Sequence, residues 1–278
     1  MISTVDPDAR HARKPPEARR DGYRAHVAAD PQTGIITGEK LTRAAGTENS
    51  GPAAAGEFLA APAESPAAGG QSGPDAASDD GVSVAVAGDE PGGELAWYGD
   101  SAYGTGDLRG VIADAGHRAV IKPRPLQSPV EGGFTAGDFT VDAQAGTVTC
   151  PAGHTVTLSR TRIATSGVAC RDCPLRSRCT TCKTGRKLVL HERGDLLRAA
   201  RAGWAAGTGL RQDYMAHRPS VERAVAQAAA FRGRRLKLRY RGVAKNHAWL
   251  KRRTAAVNLR NLPGKGLTRR SGAWVLAT

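Results

Sequence analysis

The pattern of apolar and polar positions predicts a chain that mixes strands and helices. Tyr23–Ala29 and Ile35–Thr42 form two strand-like segments separated by DPQTG, which indicates a β-hairpin with Pro and Gly in its turn. Farther on, Leu95–Tyr98 (LAWY) has the pattern of a buried strand, Thr105–Ala115 that of a helix, and Ala119–Lys122 (AVIK) that of another strand. A strand, a helix and a strand in this order are typical of an α/β fold.

A segment of low complexity separates these two predicted parts. Pro62–Gly93 is dominated by Ala, Gly, Ser, Pro and Asp and holds few bulky apolar residues, so we expect a flexible connector. Within it, Val82–Val86 has the composition of a brief strand, and before it Ala53–Ala61 has that of a short helix.

Two acids stand at positions where a fold of this class places its chemistry. Asp100 directly follows the predicted strand that ends in LAWYG, and open α/β sheets place their sites at the carboxyl ends of strands. An Asp at this point also organises a turn. Glu222 follows a predicted helix start at Pro219 and Ser220. An acid there is favoured by the helix dipole alone, so both interpretations stay open for both residues.

Positive charge is concentrated in the C-terminal third. Residues 183–278 hold 23 Lys or Arg against 4 Asp or Glu, whereas the preceding 182 residues hold 17 against 22. This asymmetry indicates a polyanionic partner, and a cationic solvated surface is the alternative. RGRRLKLRYRG alternates cations with apolar residues, which predicts a strand that could follow a phosphate backbone; a charged edge that prevents aggregation is the alternative. The predicted DNA-binding residues are Arg232, Arg234, Arg235, Lys237, Arg239, Arg241, Lys245, Lys251, Arg252 and Arg253.

All five cysteines lie between residues 150 and 182, at spacings that suit a zinc knuckle. No apolar run is long enough to span a bilayer and no signal peptide is recognisable, so we expect a cytoplasmic protein with reduced thiols. The preferred zinc ligands are Cys150, Cys170, Cys173 and Cys179. A rival set replaces Cys150 by Cys182, and His154 is a reserve ligand. Four protein ligands would make the zinc structural.

The order of these motifs carries a family resemblance. YGDSAYGTGD, CPAGH, CRDCPLRSRCTTCKTGR, YMAHRPSVERAVAQ and RGRRLKLRYRGVAKN together resemble bacterial insertion-sequence transposases of the DDE type that carry a Cys-rich insertion before the final Glu. The resemblance implies an α/β fold with a ribonuclease-H-like mixed sheet flanked by helices and interrupted by a small zinc-binding insertion. It also implies catalytic, metal-binding acids at Asp100 and Glu222, with Tyr214 and Arg218 in support.

The same resemblance implies cofactors and partners. Carboxylates of this kind hold two Mg²⁺ or Mn²⁺ ions that activate the attacking group and stabilise the leaving oxygen. The expected partner is double-stranded DNA, as transposon ends and target. The resemblance further implies that this protein associates with the nucleoid and can form a homodimer. One departure is Ala229, seven positions after the Glu, where related transposases commonly carry a basic residue.

The first acid of the expected triad is not evident in the sequence. The resemblance places it on a strand before the hairpin, where the nearby acids Asp6 and Asp21 both have the character of turn residues. We therefore expect the C-terminal portion of a transposase, truncated, without the first catalytic Asp and inactive by itself. A non-catalytic, zinc-stapled nucleic-acid-binding protein is the alternative. The predicted parts are a hairpin part of the core (1–61), a linker (62–93), the strand-helix-strand with Asp100 (94–125), the zinc-binding insertion (126–190), C-terminal core helices with Glu222 and the basic stretch (191–262), and a tail (263–278).

Overall fold

The chain is divided into two units by its internal packing. The computed structural model describes residues 5–12, 20–60, 82–87, 93–207, 209–231, 234–236, 240–270 and 273–276. One unit comprises Met1–Lys122 together with Gly203–Thr278, and the other comprises Pro123–Ala202. The second unit contains the whole of the predicted insertion at 126–190.

The first unit begins with the predicted hairpin and the strand-helix-strand segment. Its elements are β1 (Arg10–Ala12), β2 (Arg20–Ala29), β3 (Ile36–Arg43), α1 (Gly51–Ala60), β4 (Val82–Ala87), β5 (Ala96–Gly99), α2 (Gly106–Asp114) and β6 (Arg118–Ile121). The antiparallel pairing of β2 with β3 confirms the hairpin, and α1, β5, α2 and β6 confirm the other local predictions. Helix α2 starts where Thr105 accepts a hydrogen bond from the Leu108 amide, an ordinary N-cap.

These six strands form one mixed sheet. Its order is β1-β2-β4-β5-β6, with β3 also paired to β2. The brief strand predicted inside the linker is β4, which lies between β2 and β5, parallel to the former and antiparallel to the latter. The rest of the predicted linker, at 62–81 and 88–92, lies outside the described residues. Mixed pairing of this kind confirms the α/β class.

The second unit is built from short antiparallel strands. They are β7 (Thr140–Asp142), β8 (Thr147–Thr149), β9 (Thr155–Thr157), β10 (Ile163–Thr165) and β11 (Lys187–Val189), with one short helix, α3 (Arg176–Cys179). The first three form one sheet and β10 pairs with β11. Phe139, Val148, Ala164, Cys179 and Leu188 make a small core.

The C-terminal part of the chain adds long helices. The elements are α4 (Gly194–Ala205), α5 (Leu210–Ala229), β12 (Ala230–Phe231), β13 (Arg234–Arg235), α6 (Val243–Asn261), β14 (Leu267–Arg270) and β15 (Ala273–Leu276). The helix start predicted at Pro219 and Ser220 is wrong, because Pro219 lies inside the twenty-residue helix α5. Of the strand predicted from RGRRLKLRYRG, the described residues contain only the two-residue strand β13, paired with β12.

Helices cover both faces of the large sheet. Because side chains alternate along a strand, Trp97 of β5 packs with α1 and α2, whereas its neighbours Ala96 and Tyr98 pack with α5. A second cluster joins Val27 of β2 to Ala224 of α5 and Val257 of α6. The sheet therefore fixes α5, which carries Glu222, against the strand that ends at Asp100.

Candidate active site

Asp100 lies in a tight loop at the carboxyl end of β5. Its Oδ1 accepts a hydrogen bond from the Ala102 amide (2.7 Å), and its carbonyl accepts one from the Tyr103 amide (3.1 Å). The loop folds back because Gly99 has no side chain: a Cβ there would lie 3.2 Å from the Tyr103 Cβ. The turn-forming role and the strand-end position proposed for Asp100 are therefore both present.

Glu222 shares one face of α5 with Tyr214 and Arg218, the two residues predicted to support it. Tyr214, Arg218 and Glu222 follow each other at intervals of four residues, which stacks them along the helix. Arg218 forms an ion pair with Glu222, and its side chain is 11% exposed against 56% for the carboxylate. The cation is thus held in place by packing, and the carboxylate that it orients projects into solvent.

The charges of both acids affect the pKa of Tyr214. Burial raises the pKa of Tyr214, the Arg218 charge lowers it, and the charges of Asp100 and Glu222 raise it. The hydroxyl therefore lies within the fields of both carboxylates. Trp204 packs edge-on against the Tyr214 ring, with 5.1 Å between the ring centroids.

A second tyrosine, which the sequence did not single out, borders the same site. Tyr103 is fully buried, and burial raises its pKa well above the usual value; the Asp100 charge raises it and those of Arg218 and Arg24 lower it. Its hydroxyl lies 3.4 Å from Nδ1 of His26, whose Nε2 lies 3.1 Å from the Thr42 hydroxyl. Burial, with Arg24 and Lys40 nearby, lowers the pKa of His26 to about 3, so this imidazole is neutral. The only sequence signal for Tyr103 was its place in YGDSAYGTGD.

The acids considered for the first catalytic position have other surroundings. Asp6 accepts hydrogen bonds from the Tyr23 hydroxyl (2.5 Å) and from the amides of Asp8 (3.0 Å) and Gly242 (3.3 Å). Burial raises the pKa of Asp6, but these hydrogen bonds together lower it by more, so its net pKa is below the ordinary value. Asp6 therefore fixes the start of α6. Asp21 belongs to β2, and its side chain lies outside the described part of the chain.

The four cysteines of the preferred zinc set line one small cavity in the second unit. Cys150, Cys170, Cys173 and Cys179 line a space of about 10 Å³ together with His154, and Cys182 does not line it. Burial raises the pKa of the Cys179 thiol, the Arg186 charge lowers it, and the other three thiols of the set raise it. Cys182 is exposed and its sulfur contacts the Thr184 hydroxyl at 3.1 Å.

In the described residues, neither the pair of acids, Asp100 and Glu222, nor the four cysteines form a complete metal site. In that part of the chain, no group of three or more His, Cys, Asp or Glu side chains is arranged to hold a metal ion. The donor chemistry nevertheless fits: two carboxylates supply the oxygen ligands that Mg²⁺ and Mn²⁺ prefer, and four thiols supply those that Zn²⁺ prefers.

The predicted DNA-binding residues differ in what surrounds them. Arg241, Lys245, Lys251 and Arg252 are exposed. Arg253 instead donates hydrogen bonds to the carbonyls of Gln227, Ala228 and Ala230 at the end of α5, and its guanidinium lies 5.5 Å from the Trp249 ring centroid. Arg232, Lys237 and Arg239, and the side chains of Arg234 and Arg235, lie outside the described part.

Comparison with protein families gives one match. Residues 149–263 match the family model described as the transposase DDE domain. These residues are similar to the DDE domain of transposases. The match covers less than half of the chain; it includes Glu222 and all five cysteines but not Asp100, so the position of Asp100 rests on the structure. No curated protein and no solved structure matches the chain.

The matched domain indicates which substrate and which metal ions similar proteins use. DDE transposases act on DNA and generally use divalent metal ions, which agrees with the expected DNA partner and with the expected Mg²⁺ or Mn²⁺. In the part of the chain that the structure describes, no helix combines the length and the apolar character required to cross a membrane.

Proposed function

We propose that this chain supplies two catalytic acids for DNA transposition chemistry, the metal-dependent cleavage and transfer of DNA strands, on a ribonuclease-H-like core, and that turnover needs a further acid. The observation that carries the proposal is the packing of α5, which carries Glu222, against β5, whose carboxyl end leads into Asp100, with Arg218 paired to Glu222. The two acids come from a strand end and from a helix 122 residues later, so only the fold brings them together.

Asp100 and Glu222 are the residues that would hold Mg²⁺ or Mn²⁺. When bound, the ion would polarise the phosphodiester and lower the pKa of an attacking water or 3′-hydroxyl. Arg218 keeps the Glu222 carboxylate extended toward solvent, and its positive charge favours the approach of a phosphate group.

The two tyrosines contribute hydrogen-bond donors. Because burial raises the pKa of both Tyr103 and Tyr214, both hydroxyls stay protonated at neutral pH. The Tyr214 hydroxyl can therefore donate to a phosphate oxygen beside the carboxylates. Tyr103 belongs to the Asp100 loop and its hydroxyl contacts His26, so we assign it a positioning role.

Metal binding tests this proposal independently of turnover. A Mn²⁺ titration followed by electron paramagnetic resonance should show at least tenfold weaker binding in Asp100→Asn and in Glu222→Gln. Glu94→Gln is the matched control, because Glu94 is an exposed acid that precedes β5 at the opposite end from Asp100. Equal Mn²⁺ affinity in all four proteins would exclude these carboxylates as ligands.

A nicking assay on supercoiled DNA with Mn²⁺ forms the second arm. Any nicking by the wild-type chain should disappear in Asp100→Asn and Glu222→Gln and persist in Glu94→Gln. Salt-sensitive DNA binding without Mn²⁺ binding or nicking would instead support the non-catalytic DNA-binding alternative, which the thiol-lined cavity and the exposed cations of α6 favour.

A further inference from the structure

A basic pocket lies on the first unit and is lined by none of the candidate catalytic residues. It has a volume of about 340 Å³ and is bounded by the hairpin turn between β2 and β3, by α5, and by the end of α6 with the turn Pro263–Lys265. Three exposed cations line it, and no acid does; the cations are Arg223, Arg260 and Lys265. Three convergent positive charges in a concave surface form a site for an anion.

The walls of this pocket are cross-linked by uncharged groups. The Asn258 side chain accepts a hydrogen bond from the Ile36 amide (2.9 Å) and donates one to the Ile36 carbonyl (2.8 Å). The Ser220 hydroxyl donates to the Pro31 carbonyl (2.5 Å), and the Asn261 amide donates to the Gln227 side chain (2.8 Å). Turn, α5 and α6 are therefore fixed to each other without use of the three cations, so the pocket is preorganised.

The one acid of the adjoining turn is occupied by the turn itself. The Asp30 carboxylate accepts hydrogen bonds from the amides of Gln32 (2.9 Å) and Thr33 (3.2 Å) and from the Thr33 hydroxyl. These hydrogen bonds hold the Asp30 carboxylate against the turn, and Asp30 is not among the residues that line the pocket. The net charge of the lining is therefore positive.

The pocket and the candidate active site use opposite faces of α5. Ser220, Arg223 and Gln227 follow each other at intervals of three and four residues, as Tyr214, Arg218 and Glu222 do at intervals of four. At about 100° per residue, the centres of the two stripes lie nearly half a turn apart. A helix with side chains is roughly 10–12 Å across, and one DNA strand carries a phosphate about every 3.4 Å of helix axis. The separation therefore corresponds to a few nucleotides.

We propose that this pocket binds a backbone phosphodiester of DNA, a few nucleotides from the group held between Asp100 and Glu222. The two Arg guanidinium groups present planar pairs of donors that match two phosphate oxygens, and Lys265 adds a point charge. The proposal rests on the proposed function for its DNA substrate and adds an anchoring site on the face of α5 opposite Glu222.

Salt-dependent DNA binding tests the pocket. The triple variant Arg223→Gln/Arg260→Gln/Lys265→Gln should bind a short duplex more weakly at low salt, measured by fluorescence anisotropy. Its slope of log affinity against log salt should become shallower by about 0.9, the change expected for one phosphate that is no longer neutralised. The matched control Arg223→Lys/Arg260→Lys/Lys265→Arg conserves every charge and should keep the wild-type slope. Circular dichroism of both variants should match the wild type, since all three residues are exposed.

The outcomes separate the pocket from the proposed function. An unchanged slope in the Gln variant of a chain that binds DNA would overturn the pocket proposal alone. A chain whose Asp100→Asn variant keeps full Mn²⁺ binding and nicking would overturn the catalytic assignment and leave the pocket standing. A wild-type chain that bound no DNA would overturn the pocket together with the proposed DNA substrate.

Discussion

Asp213 is the residue that ties α5 to the large sheet. Its carboxylate accepts hydrogen bonds from the Tyr98 hydroxyl of β5 (2.7 Å) and from Arg118 at the start of β6 (2.8 Å), and the His217 ring lies one helical turn away (2.9 Å). Burial raises the pKa of Asp213, but the hydrogen bonds from Tyr98 and Arg118 and the charges of Arg118 and His217 lower it further, so the net change is below its ordinary value of 3.8. One carboxylate thus orients the helix that presents Glu222.

Asp213→Asn should destabilise the chain by roughly 1–3 kcal/mol at pH 7, because charge-assisted hydrogen bonds are lost and an amide NH₂ then faces Arg118. The folded pKa is lowered, so this contribution is fully present above the unfolded value of 3.8 and disappears as the pH falls through the folded pKa. Urea unfolding of both proteins at pH 7 and at pH 3 measures the difference. A stability gap that widened at low pH would contradict this role.

At the scale of elements, helix α5 shows what local sequence could and could not predict. Pro219 is a common first residue of a helix, yet here it lies in the tenth position of α5. A proline inside a helix removes one hydrogen bond. Burial of Tyr214, Val221 and Ala224 on both sides of it keeps the helix continuous. This tertiary contribution is absent from the local pattern.

The hairpin and the strand-helix-strand were predictable because their signals are local. Turn residues separate β2 from β3, and a cap residue, Thr105, precedes α2. In contrast, the position of β4 between β2 and β5 depends on pairing between distant segments. The same is true of the packing of α5, which carries Glu222, against the strand β5 that precedes Asp100. Residue types suggested both acids, whereas only the fold reveals the surroundings of Tyr103 and the basic pocket on the opposite face of α5.

Arg253, which the sequence predicts as a DNA contact, also has a structural role at the end of α5. Its guanidinium donates to three carbonyls at the end of α5, where a cation also complements the helix dipole. Arg253→Met should therefore lower the free energy of unfolding by about 1–3 kcal/mol. Lys251→Met, at an exposed position of the same helix, should leave stability unchanged but make the salt dependence of DNA binding shallower. Equal unfolding midpoints for both variants in urea would exclude the capping role of Arg253.

At the scale of the whole molecule, the two units differ in how they can be stabilised. The first has a six-stranded sheet with helices on both faces, whereas the second has strands of three residues around a small core. A small core of this kind is commonly supplemented by a metal or by cross-links. The four thiols around the cavity in the second unit, at Cys150, Cys170, Cys173 and Cys179, offer such a supplement. The family match includes these cysteines and Glu222, so it spans parts of both units.

Zinc should therefore stabilise the second unit selectively. Protein purified under reducing conditions should contain close to one zinc equivalent, because four thiolates complete a tetrahedral structural site. Chelation should speed amide hydrogen exchange in Pro123–Ala202 and leave the sheet formed by β1 to β6 protected. Cys150→Ser should lose the metal, whereas Cys182→Ser is the matched control and should retain it, because Cys182 is exposed and does not line the cavity. Absence of zinc by elemental analysis would end this assignment. Loss of zinc in Cys182→Ser with retention in Cys150→Ser would favour the ligand set that includes Cys182.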